Sequence, residues 1–252
     1  MRRGRAEASD HVASVGFEKT AALTIAIASL VAAGCDSWPQ IGGVPIDDLP
    51  NYLCESAETA DAGTSMARTS PPHVVVHAIR GWGDISSIGL DAVTNELTAD
   101  GVDASVHHLQ DWQSVGDQLV LQHTAKSNAP GIVLIGHSYG SDDAVWMAIQ
   151  LKQQNIPVRL LLLLDATDPP PIPDNVDRCV HYYVPWPGDP APDTLPGQPV
   201  VPAAGNTHTV IVNDALGILG SHSDEWCLQH MGLDSSKYVQ HRIMQEIFAL
   251  TN

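Results

Sequence analysis

One serine between two glycines carries the clearest chemical signal of the sequence. The stretch Gly136-His137-Ser138-Tyr139-Gly140 has the pattern G-x-S-x-G. The apolar run 131–135 before it predicts a buried strand, and residues 141–148 after it predict a helix. A strand, a sharp turn and a helix in this order present a serine hydroxyl above the end of a sheet. Ser138 is therefore the candidate nucleophile.

A serine hydroxyl becomes nucleophilic only when an imidazole takes its proton and a carboxylate orients that imidazole. The base is expected after the last strand, and His222 is the preferred candidate because it lies between that strand and the final helix. His208 competes with it, but lies at the start of the last predicted strand, at the edge away from Ser138. His230 and His241 are expected to be surface or packing residues.

Two aspartates compete for the role of the acid. Asp165 directly follows five leucines, 160–164, which predict a strand buried on both faces. Asp189 follows the next predicted strand, 179–184, in a proline-rich loop. Both lie at carboxyl ends of strands, where open α/β sheets place their sites. We prefer Asp165 and keep Asp189 as the alternative.

Negative charge that develops on a carbonyl oxygen needs N–H donors close to the nucleophile. Tyr139 begins the helix after the turn, so its backbone N–H is one candidate. The second is expected in the glycine-containing loop 81–83 after the first strand, where Trp82 and Gly83 supply backbone N–H groups.

Strand and helix patterns alternate along the chain from residue 73 onward. Strands are predicted near 73–79, 102–109, 131–135, 160–164, 179–184 and 207–212, and helices near 85–100, 111–126, 141–154 and 235–250. This alternation predicts a three-layer α/β fold, with helices on both faces of a mostly parallel sheet.

The N-terminal part has the features of an export signal. Basic residues precede the apolar run 20–33, which is too short to span a bilayer comfortably. Small residues before Cys35 resemble a bacterial lipobox, which implies a diacylglyceryl group on that cysteine; an ordinary secretory peptide is the alternative. We predict a signal peptide at 1–34, a tether at 35–72 and a domain at 73–252, with the protein exported to the cell envelope or periplasm and anchored to a membrane through Cys35.

Charge and cysteine content limit the partners. The net charge of −17 argues against nucleic acid as a partner. In an oxidising compartment, one disulfide and one free thiol are expected among Cys54, Cys179 and Cys227. No cysteine has metal-ligand spacing and no tight cluster of histidine and aspartate suggests zinc, so no metal is expected. The serine chemistry described above needs no organic cofactor.

From His73 to Leu250 the chain resembles α/β-hydrolases, and in particular small lipase-like hydrolases of proteobacteria. The resemblance rests on the motif around Ser138, the loop 80–83, the strand end at Asp165 and the turn 220–222. It implies an α/β-hydrolase fold and hydrolysis of carboxylic esters through an acyl-enzyme, with Ser138, His222 and Asp165 as the triad.

Three alternatives to an esterase remain open at this stage. Thioesterases and amidases use the same triad. A catalytically silent envelope lipoprotein would keep the fold without the reaction. A module that binds cell wall or polymer is the third alternative.

Overall fold

A parallel sheet forms the centre of the molecule. The computed structural model describes residues 71–82, 87–126, 128–185, 196–216 and 230–250. Within this part of the chain the strands are β1 (Val74–Ile79), β2 (Asp103–His107), β3 (Gly131–His137), β4 (Val158–Leu164), β5 (Val176–Tyr183) and β6 (Val210–Ala215). They pair in the order β2-β1-β3-β4-β5-β6, and every pairing is parallel. All carboxyl ends therefore meet at one edge.

Helices cover both faces of this sheet. They are α1 (Gly89–Ala99), α2 (Trp112–Ala125), α3 (Tyr139–Lys152) and α4 (Lys237–Phe248). Leucines of α1 and isoleucines of α4 pack in one core, whereas α2 and α3 line the core on the opposite face. The predicted three-layer fold with a parallel sheet is confirmed.

The strand β4 shows why the sheet could be predicted from the sequence. Leu160, Leu162 and Leu164 point into the core that contains α1 and α4, and Leu161 and Leu163 point into the other. A strand covered on both faces has no solvent-facing position, so its sequence shows no alternation. The last strand was predicted at 207–212 and is found at Val210–Ala215.

A buried aspartate joins the beginning of α1 to the segment that precedes α4. The carboxylate oxygen Oδ2 of Asp234 accepts the backbone N–H of Gly89 at 2.7 Å. Asp234 is fully buried, and its Oδ1 has no hydrogen-bond partner. Burial raises the pKa of Asp234 to about 7, because the charged form loses its hydration.

Two further findings concern membrane-spanning helices and the predicted disulfide. Among the described residues, no helix is long and apolar enough to cross a bilayer. Cys179 is a free thiol, completely buried in β5, and burial raises its pKa. The sequence left open which cysteine keeps a free thiol, and in the structure Cys179 is free. Cys54, Cys227 and Cys35 lie outside the described residues.

We predict that Asp234→Asn stabilises the fold in a pH-dependent way. Because the pKa of Asp234 is higher in the folded state than in the unfolded state, this group lowers the free energy of unfolding as pH rises from about 4 to about 7. Asparagine keeps an acceptor for the Gly89 N–H and does not titrate. In thermal unfolding followed by circular dichroism, the Tm of the variant should exceed the wild-type value more at pH 8 than at pH 5. A Tm difference that is the same at both pH values would contradict this prediction.

Candidate active site

The turn between β3 and α3 holds Ser138 in a strained backbone conformation, with φ 57° and ψ −127°. A Cβ at Gly136 would overlap the carbonyl oxygen of Gly140, and a Cβ at Gly140 would overlap the carbonyl oxygen of Ile79. Both positions therefore require glycine. This is the geometry that the G-x-S-x-G pattern predicted, with the serine at the carboxyl edge of the sheet.

Ser138 is linked through a histidine to Asp165. His230 Nε2 lies 2.9 Å from Ser138 Oγ, and His230 Nδ1 lies 2.9 Å from Asp165 Oδ2. Both distances are within hydrogen-bond reach. Since an ionised carboxylate only accepts, Nδ1 carries the proton and Nε2 is free to accept the serine proton. The exposed fraction of the side chain is 27% for His230 and 2% for Asp165, so the imidazole faces solvent and the carboxylate does not.

Backbone hydrogen bonds fix the acid beside the serine turn. The N–H of Ser138 donates to Leu164 O at 2.8 Å, and the N–H of Asp165 donates to Tyr182 O at 2.8 Å. Asp165 has φ 46°, in the left-handed region, and its Oδ1 accepts the N–H of Val184 at 3.3 Å. The acid is therefore tied to β3 through the serine turn and to β5.

A second buried aspartate holds the loop that carries the acid. Asp142 follows Ser138 by one helical turn, and its two oxygens accept the N–H groups of Thr167 and Asp168 at 3.0 Å each. Burial raises the pKa of Asp142 well above its ordinary value, and these two donors oppose that shift. The first turn of α3 thus holds the loop after Asp165 directly.

The position of His230 corrects the sequence analysis. His230 was expected to be a surface or packing residue, and this expectation is wrong, because its ring makes hydrogen bonds to both Ser138 and Asp165. It begins a 3-10 helix, His230–Gly232, ahead of α4. The preferred candidate, His222, lies outside the described residues. The imidazole of His230 already contacts both Ser138 and Asp165.

The other candidates are located as follows. His208 is exposed and contacts Asp177, near the start of β5 and away from the edge that carries Ser138. His241 is exposed on α4, as expected. The alternative acid, Asp189, lies outside the described residues. The sequence pointed to His230 only through its position between the last strand and the last helix, and His222 has the same position.

The loop after β1 lies against the nucleophile. A Cβ at Gly81 would be in close contact with the Cβ of Ser138 and the carbonyl oxygen of His137. The N–H of Gly81 donates to Ser87 Oγ at 2.8 Å and is thereby engaged. Tyr139 is the first residue of α3, so its N–H has no acceptor within the helix. The oxyanion roles of Tyr139, Trp82 and Gly83 stay predictions, and Gly83 lies outside the described residues.

Among the described residues, no group of three or more histidine, cysteine or carboxylate side chains is arranged to hold a metal ion. The hydroxyl, imidazole and carboxylate that meet at Ser138 can together carry out nucleophilic attack assisted by a general base.

Comparison with known proteins gives no match to a family model or to a curated protein. Solved structures that align with the chain include the thioesterase RedJ from the prodiginine biosynthetic pathway of Streptomyces coelicolor (11% identity, 77% of this chain and 98% of that chain, TM-score 0.43). A cutinase-like protein from Cryptococcus sp. aligns with 15% identity over 74% of this chain and 100% of that chain, with a TM-score of 0.41. The strand order, the helices on both faces and the serine turn described above form the three-layer arrangement with a parallel sheet that the sequence predicted.

We predict that Ser138→Gly stabilises the protein relative to Ser138→Ala. Both variants lack the hydroxyl, but only glycine adopts φ 57° without steric cost. The free energy of unfolding, measured with urea, should be about 1 kcal/mol higher for the glycine variant. Equal stability of the two variants would show that the turn stores no strain at this residue.

Proposed function

We propose that the protein is a serine hydrolase of carboxylic esters, with Ser138 as nucleophile, His230 as general base and Asp165 as the residue that orients the base. The observation that carries this proposal is the pair of 2.9 Å contacts from the two ring nitrogens of His230, one to Ser138 Oγ and one to Asp165 Oδ2.

The reaction follows from these contacts. Ser138 Oγ attacks the ester carbonyl carbon while His230 Nε2 takes its proton, and the buried carboxylate of Asp165 stabilises the imidazolium. His230 then protonates the departing alcohol oxygen as the carbon–oxygen bond breaks, which leaves an acyl-enzyme. Water, deprotonated by His230, attacks the acyl-enzyme and releases the acid. Ser138 takes back its proton from His230.

An exposed apolar residue in the loop beside Ser138 supports an ester with an apolar acyl group. Trp82 directly follows Gly81, whose backbone packs against Ser138, and Trp82 is 37% exposed. The N–H of Tyr139 and the N–H of Trp82 are our candidates for the oxyanion. Thioesters and amides would use the same residues, so they remain the alternative substrates.

We expect Ser138→Ala to abolish both hydrolysis of short p-nitrophenyl esters and labelling by a fluorophosphonate probe, because both reactions require the serine oxygen.

Asp165→Asn should lower kcat by about 10³- to 10⁴-fold, since the imidazole loses its oriented tautomer. His241→Ala, a change on the exposed face of α4, serves as the control with unchanged activity. A folded wild-type protein that takes no label would refute the proposal and favour the silent lipoprotein. A panel of matched ester, thioester and amide substrates distinguishes the alternatives.

The identity of the base has its own test. We expect His230→Ala to lower kcat/KM by about 10⁴-fold or more, because the imidazole that contacts Ser138 Oγ is then lost. His222→Ala should retain most of the activity. The reverse result would return the role of base to His222.

We also propose that the protein is exported and anchored through a lipid on Cys35, on the basis of the N-terminal pattern described above. In a bacterial host, the wild-type protein should incorporate radiolabelled palmitate and fractionate with membranes. Cys35→Ser should lose the label and be recovered in the soluble fraction. Label that persists in the serine variant would exclude this cysteine as the attachment point.

A further inference from the structure

A second histidine lies directly behind the base. His137 precedes Ser138 in the chain, ends β3 and is fully buried. Its Nε2 lies 2.7 Å from the backbone carbonyl oxygen of His230. The residue next to the nucleophile therefore contacts the main chain of the residue that would activate it.

The other ring nitrogen of His137 is connected to the loop after β1. Ser87 Oγ lies 2.8 Å from His137 Nδ1, and the same oxygen accepts the N–H of Gly81 at 2.8 Å. Ser87 is also fully buried. A continuous chain of hydrogen bonds thus runs from the loop that lies against Ser138 to the main chain of His230.

The directions of these hydrogen bonds are determined by the groups involved. The carbonyl of His230 only accepts, so His137 Nε2 must carry a proton. Burial, together with the nearby ring of His230, lowers the pKa of His137 to about 4, so the ring is neutral at pH 7 and Nδ1 accepts. The hydroxyl of Ser87 then donates to Nδ1 and accepts from Gly81. Every group in the chain is satisfied in one arrangement only.

The beginning of α1 holds both ends of this series of hydrogen bonds in place. Asp234, in the segment that begins with His230, accepts the N–H of Gly89, two residues after Ser87. Its Oδ1 lies 3.9 Å from His137 Nδ1, which is not an ion pair while the imidazole is neutral. Segment 87–89 therefore contacts both the His137 ring and the segment of the base.

We propose that His137 and Ser87 are positioning residues that hold the base and the loop 81–82 at fixed distances from Ser138. This inference rests on the proposed function, because it assigns these residues a role in the same reaction. Displacement of a catalytic group by about 1 Å can cost about 10²-fold in rate. Loss of either link is therefore expected to lower kcat much more than it raises KM.

Two substitutions of His137 each keep one of its two hydrogen bonds and remove the other. A glutamine amide nitrogen lies near the position of imidazole Nε2, so His137→Gln keeps a donor for the carbonyl of His230. An asparagine amide reaches only the position of Nδ1, so His137→Asn keeps the contact with Ser87 and loses the contact with His230. We expect kcat for a p-nitrophenyl ester to fall about 10- to 100-fold in His137→Asn, with KM changed less than threefold. His137→Gln should recover part of this loss, because it restores the donor for the carbonyl of His230 but not the contact with Ser87.

The second measurement tests whether His137 and Ser87 affect kcat through the same series of hydrogen bonds. Ser87→Ala removes the bridge to Gly81, and we expect it to lower kcat about 10-fold. In the double variant His137→Asn, Ser87→Ala, the loss should be smaller than the product of the two single losses, because both changes interrupt one chain of hydrogen bonds. Val158→Ala, a core change at the opposite end of the sheet, is the control that reduces packing without touching the chain.

The outcomes separate this inference from the proposed function. If wild-type protein reacts with the fluorophosphonate and hydrolyses esters, and His137→Asn has wild-type kcat, the positioning role is refuted and the triad stands. If the wild type does neither, the proposed function itself fails. If His137→Asn and His137→Gln lose activity equally, and no more than Val158→Ala at matched loss of Tm, the two residues are structural only and the inference is overturned.

Discussion

The close approach of the serine turn to β1 is the constraint on which the rest of the site depends. No side chain fits at residues 136 and 140, because backbone oxygens of Gly140 and Ile79 occupy the space that a Cβ would need. The same approach brings the loop after β1 against Ser138, which has a positive φ. Strain of this kind persists only where the surrounding structure over-determines the backbone. Here the pairing of β3 with both β1 and β4 provides that support.

Around this turn, the loops are fixed by buried carboxylates that accept backbone N–H groups and by the neutral imidazole of His137. Asp142 accepts two N–H groups from the loop after Asp165, and Asp234 accepts the first N–H of α1. Within the part of the chain that the structure describes, neither carboxylate has an arginine or lysine partner. In both, burial disfavours the charge and the N–H donors oppose that effect. The consequence is a site whose loops are tied to specific positions on α1 and α3 rather than held by general electrostatic attraction.

Most of the fold could be predicted from local sequence. Strands buried on both faces appear as uninterrupted apolar runs, and helices between them have their own period, so the parallel sheet followed from pattern alone. The serine turn was equally readable, because it requires particular residues at particular spacings. The end of β4 identified Asp165 as the preferred acid for a similar reason, since the aspartate is adjacent in sequence to the strand that positions it.

The histidine that contacts Ser138 could not be predicted in this way. His222 and His230 both follow the last strand and precede the last helix. The residues next to them do not show which of the two lies at the edge of the sheet that carries Ser138. That choice is made by long-range contacts: His137 binds the carbonyl of His230, and Gly89 binds Asp234 just beyond it. The sequence by itself determined the parallel sheet, the serine turn and the residue types of the site, because each is encoded by neighbours along the chain. Only the tertiary structure decided which histidine meets Ser138, because that depends on groups more than ninety residues apart in sequence.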